Sequence, residues 1–399
     1  MRKDSDRRSR RAGKPPAVPA VLLLILCSSS GPAPCETDRF ELSGYTALYP
    51  AVERYDGSAA RYYRIERTAG AVLSGTRLRA EVDLGEGGLL AADYEVTGLY
   101  HGSSPLFPVP SGRAGRQYLD MTWKPVSREH TTVVHTIDRL YWRYGFSSGT
   151  LTAGRQRISW GTGRIWNPTD LFNQINPASY SQLEKSGADA LSLKFFFGPF
   201  TDIEAVLRPG RGEEPTDAGG RFRTNAGEYD ISLAGGRFDG RIAAGGDFAG
   251  NLFDAGLRGE GIVSIDEKDS GDVWVKWILG IDNQFTPEIY ALAEYHHNGE
   301  GMEDPRDYDL ERLAEGGIVN LARSYLFLRV DCQVHPLVRL GSFVNHGFTD
   351  SSGFGGVTAE WSLSGNSDIG MGVQHAYGGE FDEYWYYPST CYGSMVYYF

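Results

Sequence analysis

The chain returns repeatedly to one pattern, a run of about 9–12 residues in which apolar and polar side chains alternate. Alternation with period two is the mark of a β-strand with two unlike faces. Residues 76–84 put Leu78, Ala80, Val82 and Leu84 on one side and Arg77, Arg79, Glu81 and Asp83 on the other. Beyond a Gly-rich turn, Leu90, Ala92, Tyr94 and Val96 oppose Asp93, Glu95 and Thr97. Val273, Val275, Trp277, Leu279 and Ile281 oppose Lys276 and Asp282, and Ile289, Ala291, Ala293 and Tyr295 oppose Glu294 and His296. Toward the end, Leu326, Leu328 and Val330 oppose Arg323, Arg329 and Asp331; Val357, Ala359, Trp361 and Leu363 oppose Glu360 and Ser362; Met371 and Val373 oppose Gln374. Ordinary strands run about 5–6 residues; these have the length that crosses a bilayer at a tilt. Charges of both signs in mid-strand suit a hydrated interior. The pattern predicts an all-β, transmembrane, antiparallel up-and-down barrel with its apolar faces outward and its ionic faces inward.

The first residues carry Arg2, Lys3, Arg7, Arg8, Arg10, Arg11 and Lys14, followed by an eleven-residue apolar run at 17–27 and small polar residues at 28–34. That is the layout of a secretory signal peptide, and the run is too short for a helix of about 20 residues that spans a membrane. Cleavage is expected after Ala33. Residues 1–33 would be removed, and residues 34–399 would form a single barrel domain. Leu26 stands before Cys27 where a lipoprotein signal has a small residue, which disfavours a lipid anchor there.

Two further segments carry a resemblance. Residues 391–399 (CYGSMVYYF) alternate as a strand and end on Phe399, with Tyr397 and Met395 on the same face. Residues 154–172 (GRQRISWGTGRIWNPTDLF) bring Gly-Arg-Gln, Trp-Gly and Asn-Pro-x-Asp in that order. With residues 279–301, these stretches resemble the porin-like outer-membrane β-barrels of Gram-negative bacteria. The resemblance implies an outer-membrane location and contact with outer-membrane lipid and lipopolysaccharide. It also implies that the barrel-assembly machinery reads Met395, Tyr397 and Phe399. About seventeen strand-like segments are visible; bacterial barrels hold an even number, so 16 strands are expected, with 14 or 18 allowed and the ambiguity placed within the Gly-rich residues 224–260. Short connections at 198–199, 235–240 and 364–367 against long ones at 101–131, 160–186, 209–221, 298–319 and 378–389 fit short turns at one end and long loops at the other.

Removing seven basic and two acidic residues with the leader takes 39 Lys+Arg and 51 Asp+Glu to 32 and 49, a net charge of −17. Such a chain is no partner for nucleic acid. Of the four cysteines, Cys27 leaves with the leader and Cys35 sits at the cleavage zone, while Cys332 and Cys391 remain as a possible bridge or as two packed thiols. No cofactor or metal is expected: His296 and His297 point to opposite faces, and ligand spacings of known type are missing. The acidic segments 266–272 and 303–309 lack an EF-hand pattern. No catalytic group is assembled, Ser342 and His346 being too far apart to touch, and the protein is not expected to be an enzyme.

The candidate pore residues are the inward charges. Arg77, Arg79, Glu81, Asp83, Asp93, Glu95, Arg139 and Arg143 could form a ladder across neighbouring strands that braces the wall or selects solutes. Residues 160–186, anchored by Trp160 and Trp166, are expected to fold inward. Arg155, Arg157, Arg164, Asp170 and Glu184 would then set the field of a constriction; alternatively the loop packs over the rim and its charges pair. Arg323 and Arg329 complete the set. The function expected is passive diffusion of small hydrophilic solutes or ions. The alternative is an export conduit for polysaccharide or another polymer, resembling alginate-export barrels.

Overall fold

The computed structural model describes residues 39–102, 117–172, 184–212, 214–314 and 318–399. The expected leader lies outside them. Nineteen strands form one antiparallel sheet: β1 (Phe40–Arg54), β2 (Thr68–Gly85), β3 (Gly88–His101), β4 (Thr122–Arg128), β5 (Thr131–Phe146), β6 (Gly149–Gln156), β7 (Ala188–Phe196), β8 (Asp202–Arg208), β9 (Asp217–Ala226), β10 (Tyr229–Phe238), β11 (Arg241–Leu252), β12 (Ala255–Asp266), β13 (Val273–Gln284), β14 (Ile289–Asn298), β15 (Ser324–His335), β16 (Val338–Gly347), β17 (Gly353–Ser364), β18 (Ser367–Tyr377) and β19 (Ser389–Tyr398).

The sheet closes on itself. β1 pairs along one edge with β2, from Phe40↔Val82 to Arg54↔Thr68, and along the other with β19, from Tyr45↔Tyr398 to Arg54↔Ser389. Eighteen strands make the closed wall, two more than the 16 expected. β4 is the nineteenth. β3 occupies one edge of β5 throughout, so β4 (Thr122↔Thr136 to Arg128↔Thr131) and β6 (Leu140↔Arg155 to Phe146↔Gly149) share the other, one above the other. β4 therefore continues the wall where β6 ends at Gln156 and the chain leaves it. The residues expected as one long loop, 101–131, thus contain a strand.

Short turns at one end, such as those between β2 and β3 and between β17 and β18, alternate with longer connections at the other. The alternation fails twice, the first time where Glu129 and His130 join β4 to β5 at the long-loop end. Asp239 and Gly240 join β10 to β11 at the long-loop end, so the short connection expected at 235–240 sits on the opposite rim. Part of the connection expected at 209–221 is also strand, since β9 begins at Asp217. Gly235 and Gly236 blurred the sequence pattern because they lie within β10 and carry no side chain to alternate.

The two faces separate as the alternation predicts. Leu78, Trp277, Val357 and Met371 are all solvent-exposed on the outer wall, Met371 at 67%, while Arg77 on the inner face is 2% exposed. Outward apolar and inward ionic side chains are the inversion that defines a membrane barrel. Cys332 on β15 and Cys391 on β19 are both free thiols. Strands stand about 4.8 Å apart, so the four steps from β15 to β19 exceed any disulfide's span.

Candidate functional site

After Gln156 the chain turns away from the wall and into the barrel. The inner faces of β7 to β12 are apolar where it arrives: Trp160 and Phe172 pack with Ile158 against Ala190, Val206, Phe238, Ala243 and Ile262. The Trp160 indole N–H donates to Glu204 at 3.1 Å, and the Arg221 guanidinium lies over its ring. Of the loop expected at 160–186, residues 173–183 lie outside the described residues.

The loop is held from the far side by two wall carboxylates that sequence reasoning missed. Glu260 on β12 accepts the N–H groups of Thr162, Gly163 (2.5 Å) and Thr169 (3.2 Å), together with the Thr169 hydroxyl (2.9 Å). Glu294 on β14 accepts those of Arg164 (2.8 Å), Ile165 (3.1 Å) and Trp166 (2.8 Å). Five consecutive backbone donors, from residue 162 to 166, thus end on two acidic side chains. Such charge-assisted bonds are stronger than neutral ones, and they satisfy N–H groups that the loop's irregular backbone cannot satisfy itself. The bend depends on glycine. Gly161 sits at φ +87°, and a Cβ on it would lie 2.6 Å from both Glu260 oxygens; one on Gly163 would lie 1.9 Å from the Trp166 carbonyl oxygen. Beyond the bend, the Trp166 indole donates to Asn320 at 2.9 Å and stacks on His296. His296 faces inward and His297 stacks on the outward Trp277, so the two histidines do lie on opposite faces.

Most of the candidate charges are held by partners on neighbouring strands or by backbone groups. Arg77 bonds Asp93, Glu95 and Asp138, and Arg79 bonds Asp93 and Glu184. Arg139 bonds Asp138 at 2.7 Å and the Lys185 carbonyl. Asp138 is the extra residue of a β-bulge between β3 and β5, where Asp93 pairs with Arg139 and Tyr94 with Ile137. A bulge places two successive side chains on one face, which strict alternation cannot foresee. Arg155 is clamped on Asp189 and on the carbonyls of Ile137 and Leu119. Asp170, fully buried, takes Lys185. Arg143 lies over Tyr141 and donates to its hydroxyl. Asp83 accepts the Gly85 N–H in the β2–β3 turn, and Glu81 sits beside it at the same end. Arg323 precedes β15 at the rim and pairs with Glu303, so it is no part of the inner wall.

Three of the candidates do line one space. Between the loop and the wall of β13 to β15 lies a cavity of about 600 Å³. Arg157 and Arg164 reach it from the loop, Lys276 and Arg329 from the wall, and Lys185 from below the loop, with Glu300 as the acidic member. Arg329 is paired with Asp331, Lys276 with Glu300, and Arg164 stands 3.8 Å from Asp282. Arg157 is exposed and makes no ion pair with any described residue. The acidic segments at the rim are engaged by neighbours: Asp266 accepts the N–H groups of Lys268 and Asp269, Glu267 pairs with Arg237, Asp272 with Arg241, Glu303 with Arg323 and Asp304 with Arg306.

The sequence matches no protein-family model and no curated protein. Its fold is similar to solved structures. Acinetobacter baumannii OccAB4 is 8% identical over 90% of this chain and 98% of its own, with a TM-score of 0.56. OccAB1 of the same organism is 9% identical over 92% and 99%, with a TM-score of 0.55. Pseudomonas aeruginosa OccD3 (OpdP) is 10% identical over 90% and 91%, with a TM-score of 0.52. The fold is that of the porin-like outer-membrane barrels.

Proposed function

We propose that this protein is a porin-like channel of a bacterial outer membrane that passes small hydrophilic solutes by diffusion, with a bias toward anions. The observation that carries the reading is the loop pinned across the lumen by Glu260 and Glu294, which leaves a cavity whose charged lining is Arg157, Arg164, Lys185, Lys276 and Arg329 against the single acid Glu300. Charged linings of one sign select by electrostatics without any catalyst. The net acidic charge of the chain does not decide the sign of the lumen, because it counts the rims and loops equally with the interior. A chain-crossing loop held by six backbone hydrogen bonds speaks against a wide conduit for a polymer.

The outward apolar wall would meet outer-membrane lipid, with lipopolysaccharide at the long-loop end. Met395 and Phe399 are exposed on the outer surface, where assembly machinery could read them. The test is conductance in planar bilayers from heat-modifiable, folded protein, with the reversal potential measured across a salt gradient. Channel steps with anion preference are expected. Folded protein without steps overturns the channel reading, and cation preference overturns the bias.

A further inference from the structure

The connection between β18 and β19, residues 378–388, is fastened to three other connections at the long-loop end. Trp385 donates to Ser58 (2.8 Å) and Asp56 (3.3 Å) at the start of α1 (Gly57–Tyr63), in the β1–β2 connection. The Glu383 N–H donates to Asp350 (2.8 Å) in the β16–β17 connection. The Glu383 carboxyl accepts the Ala322 N–H (3.1 Å) in the β14–β15 connection and the Tyr325 hydroxyl at the start of β15. The Tyr384 N–H donates to the Ser352 hydroxyl oxygen (3.4 Å) in the β16–β17 connection, and the Tyr384 hydroxyl accepts from Asn345 on the inner wall at 2.7 Å. Glu383, Tyr384, Trp385 and Tyr386 are all buried.

Glu383 is the anomaly in this assembly. It is 1% exposed, and its Oε1 has no hydrogen-bond partner among the described residues. The groups that face it are all neutral or acidic: Tyr325 from β15, Asp350 across the β16–β17 connection, and Tyr384 and Asp382 from its own segment. Tyr308, from the β14–β15 connection, donates to the same Asp350. Arg323, next to Ala322, is turned away onto Glu303 and the Gly301 carbonyl. Among the described residues no lysine, arginine or histidine pairs with Glu383. A charge buried without a counter-charge is strongly disfavoured.

The same cluster touches the constriction. Ala322, which Glu383 holds, lies two residues from Asn320, which holds Trp166 of the inward loop, and Tyr325 packs against the Trp166 ring. We propose that residues 378–388 form a pH-operated latch on the mouth of the channel, held down while the Glu383 carboxyl is protonated and released when it ionises. The gating role rests on the channel reading; the latch itself does not.

Burial lifts the docked carboxyl from the ordinary 4.5 to about 7. A group whose acidity is raised in the packed state stabilises that state fully below its free value and loses the contribution as pH rises to the packed value. The latch therefore weakens about tenfold per pH unit between about 4.5 and 7, and then levels off.

The experiment is limited proteolysis of the full-length folded protein by chymotrypsin, whose target aromatics Tyr384, Trp385 and Tyr386 are sequestered when the segment is down. Rates are normalised at each pH to a reference peptide. Between pH 5.5 and 7.5 cleavage in this segment should rise roughly twentyfold. Glu383→Gln, which cannot ionise, should stay slow throughout. Tyr325→Phe, lacking one donor to the carboxylate, should move the levelling-off to higher pH. Retained heat-modifiability on gels shows that each variant is folded. A flat wild-type profile, or a Glu383→Gln profile that follows it, overturns the latch. Bilayer conductance over the same pH range separates the two readings: absent steps with a normal cleavage profile remove the channel and leave the latch, while steps with a flat cleavage profile do the reverse.

Discussion

Glu294 and Trp166 lie 128 residues apart in sequence and meet inside the barrel, the carboxylate accepting the tryptophan's backbone N–H at 2.8 Å. The same side chain serves Arg164 and Ile165, so one wall residue fixes three successive positions of the loop. Replacing it by leucine leaves three donors without partners, at about 1–3 kcal/mol each. Glu294→Leu should free the loop and raise single-channel conductance and open-channel noise. Glu294→Gln, which keeps one acceptor oxygen, should fall between it and wild type. Unchanged conductance in Glu294→Leu would mean the loop is held by its aromatic anchors alone.

Gly161→Ala should reproduce that behaviour from the other partner. Its positive φ strains any side-chain-bearing residue, and the added methyl carbon would sit against the Glu260 carboxylate. Backbone strain of this kind costs on the order of 1–3 kcal/mol, before the lost hydrogen bonds are counted. The barrel should still fold, since the wall strands are untouched, and gel mobility before and after boiling checks this beside the conductance trace.

Arg157 makes no ion pair with any described residue, so it should matter more to selectivity than Arg329, which Asp331 already holds in a two-pronged pair. Arg157→Glu should carry the reversal potential in a salt gradient toward cation preference, with the change shrinking at high ionic strength. Arg329→Gln should shift it less. Equal shifts would show that the pairing seen at Arg329 does not screen it.

Met371 and Gln374 lie on adjacent parts of β18 and face opposite media. A lysine placed at Met371 should cost about 2–4 kcal/mol if the site is near the bilayer midplane. Gln374→Lys, on the inner face, should cost far less. Equilibrium unfolding in urea from lipid vesicles reads both; equal costs would contradict the inverted arrangement of the faces.

Both cysteines should react with maleimide in the unfolded protein without prior reduction. Cys391, exposed on the outer wall, should also react in detergent before unfolding. A disulfide between Cys332 and Cys391 would require β15 and β19 to lie closer than their places in the sheet allow.

What could be read from the chain was what is local. The face to which Leu78 or Arg79 points follows from its neighbours two residues away, so the wall and its inversion were legible. The inward segment was legible too, because Trp160, Trp166 and the Asn-Pro turn announce an ordered loop. Its anchors were not. Glu260 and Glu294 are single acids on ordinary strands, and nothing near them in sequence says that a segment about a hundred residues upstream will end on them. Arg77, Arg139 and Arg155 were placed on the correct face but could not be told from free pore charges, because their partners come from other strands and, for Asp138, from a bulge. β4 escaped because it pairs on only one side among the described residues and sits inside what looks like a loop.

The pairing of Tyr45 with Tyr398 has a consequence for how the molecule is made. These are among the last contacts a growing chain can form, and contacts between such distant residues are slow to find one another. Until they form, β1 and β19 each offer a row of bare amide and carbonyl groups to any other chain in reach. The cell must therefore shelter two sticky margins for the whole time that the intervening strands are being laid side by side, and the seam is where a misassembled pair of molecules would be joined.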